Sequence, residues 1–260
     1  MRLEWSRASR LGHLAGPTDL TMSQTTPTTK AMLISFSGID GAGKSTQIEN
    51  LCGSLRAAGL SVQVITFWDD VAQLKSLREE VGHKVFRGDR GFGTPDAPIV
   101  RRDKNVRSPL VTLFRLGVYI LDAISLRLKA EKAQNSGTDV VVFDRFLYDE
   151  LANLDLDGAG EKVYVKLLLR IIPKPDVALI LDANPTEAFR RKPEYPLSFL
   201  HSNRNAYLRL AQLAGCITVI PPLPLDAALA EVTRSVWSSA PARFQSNVDK
   251  SQAKNSSSNS

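Results

Sequence analysis

Along this chain, short apolar runs alternate with longer stretches in which apolar positions recur every three or four residues. The runs lie at 31–37 (Ala-Met-Leu-Ile-Ser-Phe-Ser), 61–67, 139–143, 177–182 and 216–220. Their brevity and β-branched content predict strands, and their near-continuous apolar character predicts burial on both faces. Helical spacing predicts helices over 45–58, about 70–81, 109–134, 146–154 with 161–172, 198–214 and 225–238. In the first of these, Ile48, Leu51, Cys52 and Leu55 share one face and Gly59 supplies a stop. Strands alternating with helices predict crossover connections and a parallel sheet covered on both sides. No internal repeat interrupts the pattern.

The densest local signal sits between the first strand and the first helix, where residues 38–46 read Gly-Ile-Asp-Gly-Ala-Gly-Lys-Ser-Thr. Gly38, Gly43, Lys44 and Ser45 occupy the defining places of a phosphate loop, in the strand–loop–helix context such a loop needs. Glycines at 38, 41 and 43 let the backbone approach an anion closely. Its N–H groups, from Asp40, Gly41, Ala42, Gly43, Lys44, Ser45 and Thr46, then form a concave nest at the positive end of the helix. Lys44 adds a charge that reaches the outer phosphates, and the Ser45 hydroxyl can ligate Mg²⁺. A nucleoside triphosphate with Mg²⁺ is the expected ligand. The expected fold class is α/β, a three-layer P-loop NTPase fold with a five-stranded parallel sheet and helices on both faces.

In such a sheet, ligands sit beyond the carboxyl ends of the strands, so each strand end is a candidate. The second delivers Phe67, Trp68, Asp69 and Asp70, and the fourth delivers Asp182. The third delivers Asp144, placed to hold hydrated Mg²⁺, and Arg145, whose guanidinium can clamp a phosphate bidentately. Asp144 can equally serve as a helix cap, with Arg145 solvated. Between Pro185 and Pro193 stand Arg190, Arg191 and Lys192. They read either as a lid, about 184–197, that spreads charge from a transferring phosphoryl group, or as a solvated face. Asn153, Asp155, Asp157 and Gly158 imitate a calcium loop, but its closing glutamate position is Tyr164. His13, His83 and His201 are isolated and support no triad.

Composition narrows the remaining classes. At 260 residues and 43% hydrophobic content, one α/β core can be buried. Residues 1–30 and 239–260 are rich in Ser, Thr, Pro and Asn and are expected to be disordered, leaving 31–238 as the folded P-loop domain. Met22 offers a second initiation site. The net charge of +6 divides evenly: Arg2, Arg7, Arg10 and Lys30 outweigh Glu4 and Asp19 by two, and Arg243, Lys250 and Lys254 outweigh Asp249 by two. The central part therefore carries an ordinary +2, which argues against nucleic acid as the principal ligand. Cys52 and Cys216 make no disulfide framework and fit a reducing cytoplasm. No apolar run is long enough to span a membrane.

With these residues in view, the chain resembles thymidylate kinase and the wider nucleoside-monophosphate kinase group. Phe36 to Gln47 is similar to that family's phosphate loop, and Val142-Phe143-Asp144-Arg145-Phe146 resembles its Asp-Arg-Tyr motif. Pro175 to Asp182, followed by Pro185, Glu187 and Arg190, resembles the fourth strand and lid entry. Phe199 to Ala211 resembles the helix after the lid. The resemblance implies dTMP and ATP as small-molecule substrates, and a homodimer is compatible with it. Asp40 would bond a sugar hydroxyl of the acceptor, and Asp144 and Arg145 would serve Mg²⁺ and phosphates. With glycine at 41, the lid arginines Arg190 and Arg191 would do the catalytic work.

Departures gather on the acceptor side. Where the family shows Arg-Glu-Pro-Gly-Gly, this chain has Trp68-Asp69-Asp70. Phe67 and Phe114 are candidate acceptor contacts, but Val118 stands where an arginine is expected. Residues 84–108, rich in Arg and Lys among Gly and Pro, form a candidate substrate loop, and the 109–134 helix is long. Two other readings stay open: a P-loop kinase of another small acceptor, or a nucleotide-binding regulatory module with little turnover. A GTPase is disfavoured because no Asn-Lys-x-Asp motif occurs.

Overall fold

The computed structural model describes residues 30–72, 109–154 and 156–244. Five parallel strands form one sheet in the order β2-β3-β1-β4-β5. They are β1 (Met32–Ser37), β2 (Val62–Thr66), β3 (Val140–Asp144), β4 (Val177–Leu181) and β5 (Ile217–Ile220). The helices are α1 (Lys44–Ala57), α2 (Pro109–Gln134), α3 (Leu147–Leu151), α4 (Ala159–Ile171), α5 (Pro185–Arg191), α6 (Leu197–Ala214) and α7 (Leu225–Ser238).

Strand periodicity divides the interior into two layers. On β1, β3 and β4, Leu33, Val141, Phe143, Ala178 and Ile180 face α2, α3, α4 and α6. Their neighbours Met32, Ile34, Phe36, Val140, Val142, Val177, Leu179 and Leu181 face α1 and α7. Both faces are covered, which is why these strands read as continuous apolar runs rather than alternating ones. β1 is central, with Ile34 in register with Val142 on one side and Val177 on the other. The chain crosses from β1 out to β2 on one side and later from β3 past β1 to β4 on the other, so the carboxyl end of β1 opens into the crevice where such sheets place their ligands.

Element ends follow local chemistry. α5 begins with Pro185 in its first turn, and the Asn184 side chain accepts from the Thr186 amide at 2.9 Å. α6 ends on Gly215 in the left-handed region (φ +67°). The strand expected to run to Phe67 stops at Thr66. There Phe67–Val71 forms a π turn, because the Asp70 carboxylate accepts the Thr66 amide at 2.8 Å and Phe67 is fully buried. The packed body also passes the expected boundary at 238: Phe244 is buried, and Arg243 Nη2 donates to the Lys30 carbonyl at 2.7 Å. Of the helix expected at about 70–81, only 70–72 are described, and Asp70 and Val71 belong to the π turn. The substrate loop 84–108 and the termini 1–29 and 245–260 lie outside the described residues, as does the Phe114 side chain.

Candidate active site

Between β1 and α1, two glycines are fixed by their neighbours as well as by backbone angle. Gly38 and Gly41 have φ of +140° and +81°. A Cβ on Gly38 would stand 2.5 Å from the Leu181 carbonyl oxygen at the end of β4, and one on Gly41 would stand 2.4 Å from the Ala188 carbonyl oxygen in α5. At Gly43 the only neighbour a Cβ would meet among the described residues is Arg191 Nη1, at 4.0 Å. α1 carries no acid in its first turn and no side-chain cap, and Ser45 and Thr46 are exposed there. Its leading N–H groups and positive dipole end are therefore available to an anion.

Lys44 is buried, and its Nζ donates to the carbonyls of Gly38 (2.7 Å) and Ile39 (3.0 Å). Burial, helped by nearby Arg145, lowers its pKa to about 8, while Asp149, Asp40 and Asp144 pull the other way. An arriving anion would restore the full positive charge. The Asp144 carboxylate, half-buried at the end of β3, makes no hydrogen bond or ion pair among the described residues. One such carboxylate with one exposed hydroxyl, Ser45, suits Mg²⁺, which keeps several waters and takes other ligands from substrate phosphates. Among the described residues no cluster of three His, Cys, Asp or Glu offers a self-sufficient metal site.

Arg145 follows β3 with φ +67°, the one positive value at a non-glycine position among the described residues. Such a conformation costs on the order of 1–3 kcal/mol and persists where surroundings over-determine it. Here the Arg145 amide donates to Phe36 O at 3.0 Å, folding the chain over the end of β1. That turn brings the guanidinium between two carboxylates. Nη2 lies 2.5 Å from Asp40 Oδ1 in the phosphate loop, and Nη1 lies 3.8 Å from Asp149 Oδ1 in α3. Burial opposes ionisation of Asp40, but Arg145 and then Lys44 outweigh it and hold the carboxyl below its ordinary pKa. Burial likewise works against the Arg145 charge, and Asp149 and Asp40 more than compensate.

The segment expected as a lid forms α5, which lies against the loop. Arg191 Nη1 donates to the Gly41 carbonyl at 3.0 Å and its Nη2 is 3.4 Å from Glu187. Lys192 Nζ pairs with Glu194 at 3.3 Å. Arg190 points to solvent and makes none of these contacts. Behind the lid, Arg204 on α6 grips Asp182 with two parallel bonds, Nε to Oδ1 at 2.6 Å and Nη2 to Oδ2 at 2.7 Å. At the end of β2, Phe67 is buried with Trp68 edge-on to it at 5.6 Å, while Asp69 and Asp70 are exposed. The structure thus brings Asp40, Lys44, Asp144, Arg145 and Arg191 to the carboxyl end of the sheet. Phe67 is a wall residue rather than an open contact. In the calcium-like stretch, Asp157 pairs with Arg209 at 2.5 Å and Asn153 donates to Asp149 O, while Asp155 lies outside the described residues.

No family model matches the chain. A protein named probable thymidylate kinase from Methanothermobacter thermautotrophicus is 31% identical over 193 residues, covering 72% of this chain and 85% of that relative. The chain belongs to the thymidylate kinase family. A probable thymidylate kinase from Methanosphaera stadtmanae is 26% identical and spans 78% of this chain and 96% of its own length. The thymidylate kinase of Chlorobium chlorochromatii is 28% identical over 70% of this chain and 82% of its own. The crystal structure of thymidylate kinase from Ehrlichia chaffeensis superposes with a TM-score of 0.48 at 22% identity, covering 79% of this chain and 97% of that one. As a member of this family, the chain is a nucleoside-monophosphate kinase, a transferase of nucleotide biosynthesis.

Seen as a thymidylate kinase family member, the chain carries site residues that its sequence alone did not flag. Asp149 is buried and accepts Ser37 Oγ (2.6 Å), the Phe146 amide (3.0 Å) and Tyr207 OH (2.7 Å). The one available signal was its place three residues after Phe146, where an acid commonly caps a helix start. Nothing in the sequence tied it to Arg145. Arg204 likewise stood in the helix after the lid without an assigned partner.

Proposed function

We propose that this chain transfers the γ-phosphoryl group of ATP to dTMP, giving dTDP and ADP. The observation that carries this reading is the placement of two groups on one phosphate loop: the guanidinium of Arg191 bonded to Gly41 O, and the Asp40–Arg145 pair. A donor phosphate chain in the loop would lie near both. The acceptor's identity rests on the names of the relatives.

In this reading the loop amides from Gly38 to Thr46 and the end of α1 bind the donor phosphates, and Lys44 leaves two loop carbonyls for the outer phosphates. Ser45 and Asp144 would hold Mg²⁺. When bound, the ion neutralises charge on the phosphates. Arg191, already hydrogen-bonded to the loop, spreads the charge of the transferring group and excludes water, whereas Arg190 would have to swing in from solvent. Arg145 holds the acceptor phosphate in line, and Asp40 meets a sugar hydroxyl of the acceptor. Positioning and charge stabilisation dominate such a transfer, so no strong general base is needed.

No described helix is long and apolar enough to cross a membrane, and Cys52 and Cys216 are unbridged, which suits a reducing cytoplasm. Self-association has a surface to use on α2, where Leu113, Leu121, Ile124 and Leu128 are exposed.

Trp68, Asp69 and Asp70 favour a second reading in which the kinase takes another acceptor. These residues replace a cation-bearing family motif with an aromatic and two exposed carboxylates at the carboxyl end of β2. Incubation with Mg-ATP and a panel of monophosphates separates the two. Diphosphate formed from dTMP supports the first, diphosphate formed only from another monophosphate supports the second, and ATP bound without any product rejects both.

A further inference from the structure

Arg145 is held by more than its bond to Asp40. The Asp149 carboxylate uses both oxygens: Oδ1 takes the Tyr207 hydroxyl at 2.7 Å and faces Arg145 Nη1 at 3.8 Å, while Oδ2 takes Ser37 Oγ at 2.6 Å and the Phe146 amide at 3.0 Å. Those partners come from the end of β1, the turn after β3, and α6, so one buried carboxylate joins three elements that border the site. A capping role accounts for the Phe146 amide alone. It does not account for a serine and a tyrosine, from distant parts of the chain, both donating to the same group.

Sparing Tyr207 from water requires this partner. Its ring is buried, and burial together with Asp149 raises its pKa well above the ordinary value, so it stays a neutral donor. By donating to Oδ1, the hydroxyl restrains the same oxygen that faces Arg145 Nη1. The second grip on α6, Arg204 on Asp182, ties the same helix to the end of β4. Asp149 is therefore fixed in position as well as charged.

We infer that Asp149, oriented by Tyr207 and Ser37, is a positioning residue that sets the guanidinium of Arg145 for the acceptor phosphate. This rests on the reading of Arg145 given above. Without the network, Arg145 keeps its bond to Asp40 but loses the second negative charge that fixes the direction of its free N–H groups. The acceptor would then bind more weakly, while the donor, held by the phosphate loop, would not.

The test is a cycle of variants in the full chain, with Mg-ATP and dTMP as substrates. Tyr207→Phe removes only the hydroxyl. It is expected to raise the acceptor KM by about tenfold, the scale of losing one hydrogen bond to a charged group, with the donor KM within about twofold. In an Arg145→Ala background, Tyr207→Phe should change the acceptor KM no further, because the group it orients is gone. Ser37→Ala should repeat the pattern through Oδ2, and it carries the test if Tyr207→Phe fails to fold. An unchanged acceptor KM in the folded single variants, or an equal rise with and without Arg145, overturns the inference. If Arg145→Ala itself leaves the acceptor KM unchanged, the role given to Arg145 falls and the inference falls with it. If Arg145→Ala weakens the acceptor but Tyr207→Phe does not, the inference alone fails.

Discussion

Gly41→Ala puts the smallest possible side chain at the junction of loop and lid. Two costs follow. Residue 41 sits at φ +81°, where an L-residue costs roughly 1–2 kcal/mol. The new Cβ would also stand 2.4 Å from Ala188 O, 2.9 Å from Ala188 C and 3.0 Å from Ala188 Cα. All three atoms belong to backbone, so no side-chain rotation relieves them. α5 must back away by about 1 Å to restore ordinary contact. Arg191 rides on that helix, and its 3.0 Å bond to Gly41 O would be lost. Misplacement by about 1 Å in a site that works by alignment can cost about 10²-fold in rate. The expected result is a kcat lowered by about 10²-fold, with a loss of stability of at least about 1–2 kcal/mol and ATP affinity reduced far less than kcat. Coupled assay of ADP release, calorimetric ATP titration and denaturant melts give the three numbers. A kcat within about threefold of wild type would refute the idea that the lid must seat on this glycine.

Arg191→Ala is expected to lower kcat by at least tenfold more than Arg190→Ala, as the guanidinium that already touches the loop should supply most of the lid's charge. Equal losses in a steady-state assay would contradict that ranking. Because burial holds the Lys44 pKa to about 8, ATP binding at pH 8 should take up about half a proton, as the incoming phosphates restore the charge. Calorimetry in buffers of different ionisation enthalpy measures it, and Lys44→Met should abolish the uptake. The sign for stability follows from the same depression. Between pH 8 and the ordinary lysine value, the unfolded chain binds the proton that the folded chain has released. Unliganded protein should therefore gain stability as pH rises through that window, and Lys44→Met should lack this gain.

The sheet was legible because its strands obey one rule. Val140, Val141, Val142 and Phe143 are apolar at every position, as burial on both faces demands, and the helix faces between strands keep their spacing. The phosphate loop was legible for a different reason: its chemistry needs glycines, a lysine and a hydroxyl at fixed offsets, so spacing alone betrays it. The π turn was not, because Thr66-Phe67-Trp68 looks like strand until Asp70 turns back onto the Thr66 amide. The Arg145 network was hidden more deeply. Asp40, Asp149, Ser37 and Tyr207 meet only because a positive-φ turn at Arg145 and the docking of α6 bring them together, and neither leaves a periodic trace. The contrast between Arg191, bonded to the loop, and exposed Arg190 was hidden for a similar reason. The two are adjacent in sequence, and only the seat of α5 on Gly41 decides which side chain faces the loop.

The most direct measurement of the central claim is a single turnover of Mg-ATP and dTMP, following ADP and dTDP together, in wild type and in Lys44→Ala. The expected result is one dTDP for each ADP in wild type, and a rate at least about 10²-fold lower when the buried ammonium is removed. ADP without dTDP, or undiminished turnover in Lys44→Ala, would contradict the assignment of this loop as the site of phosphoryl transfer.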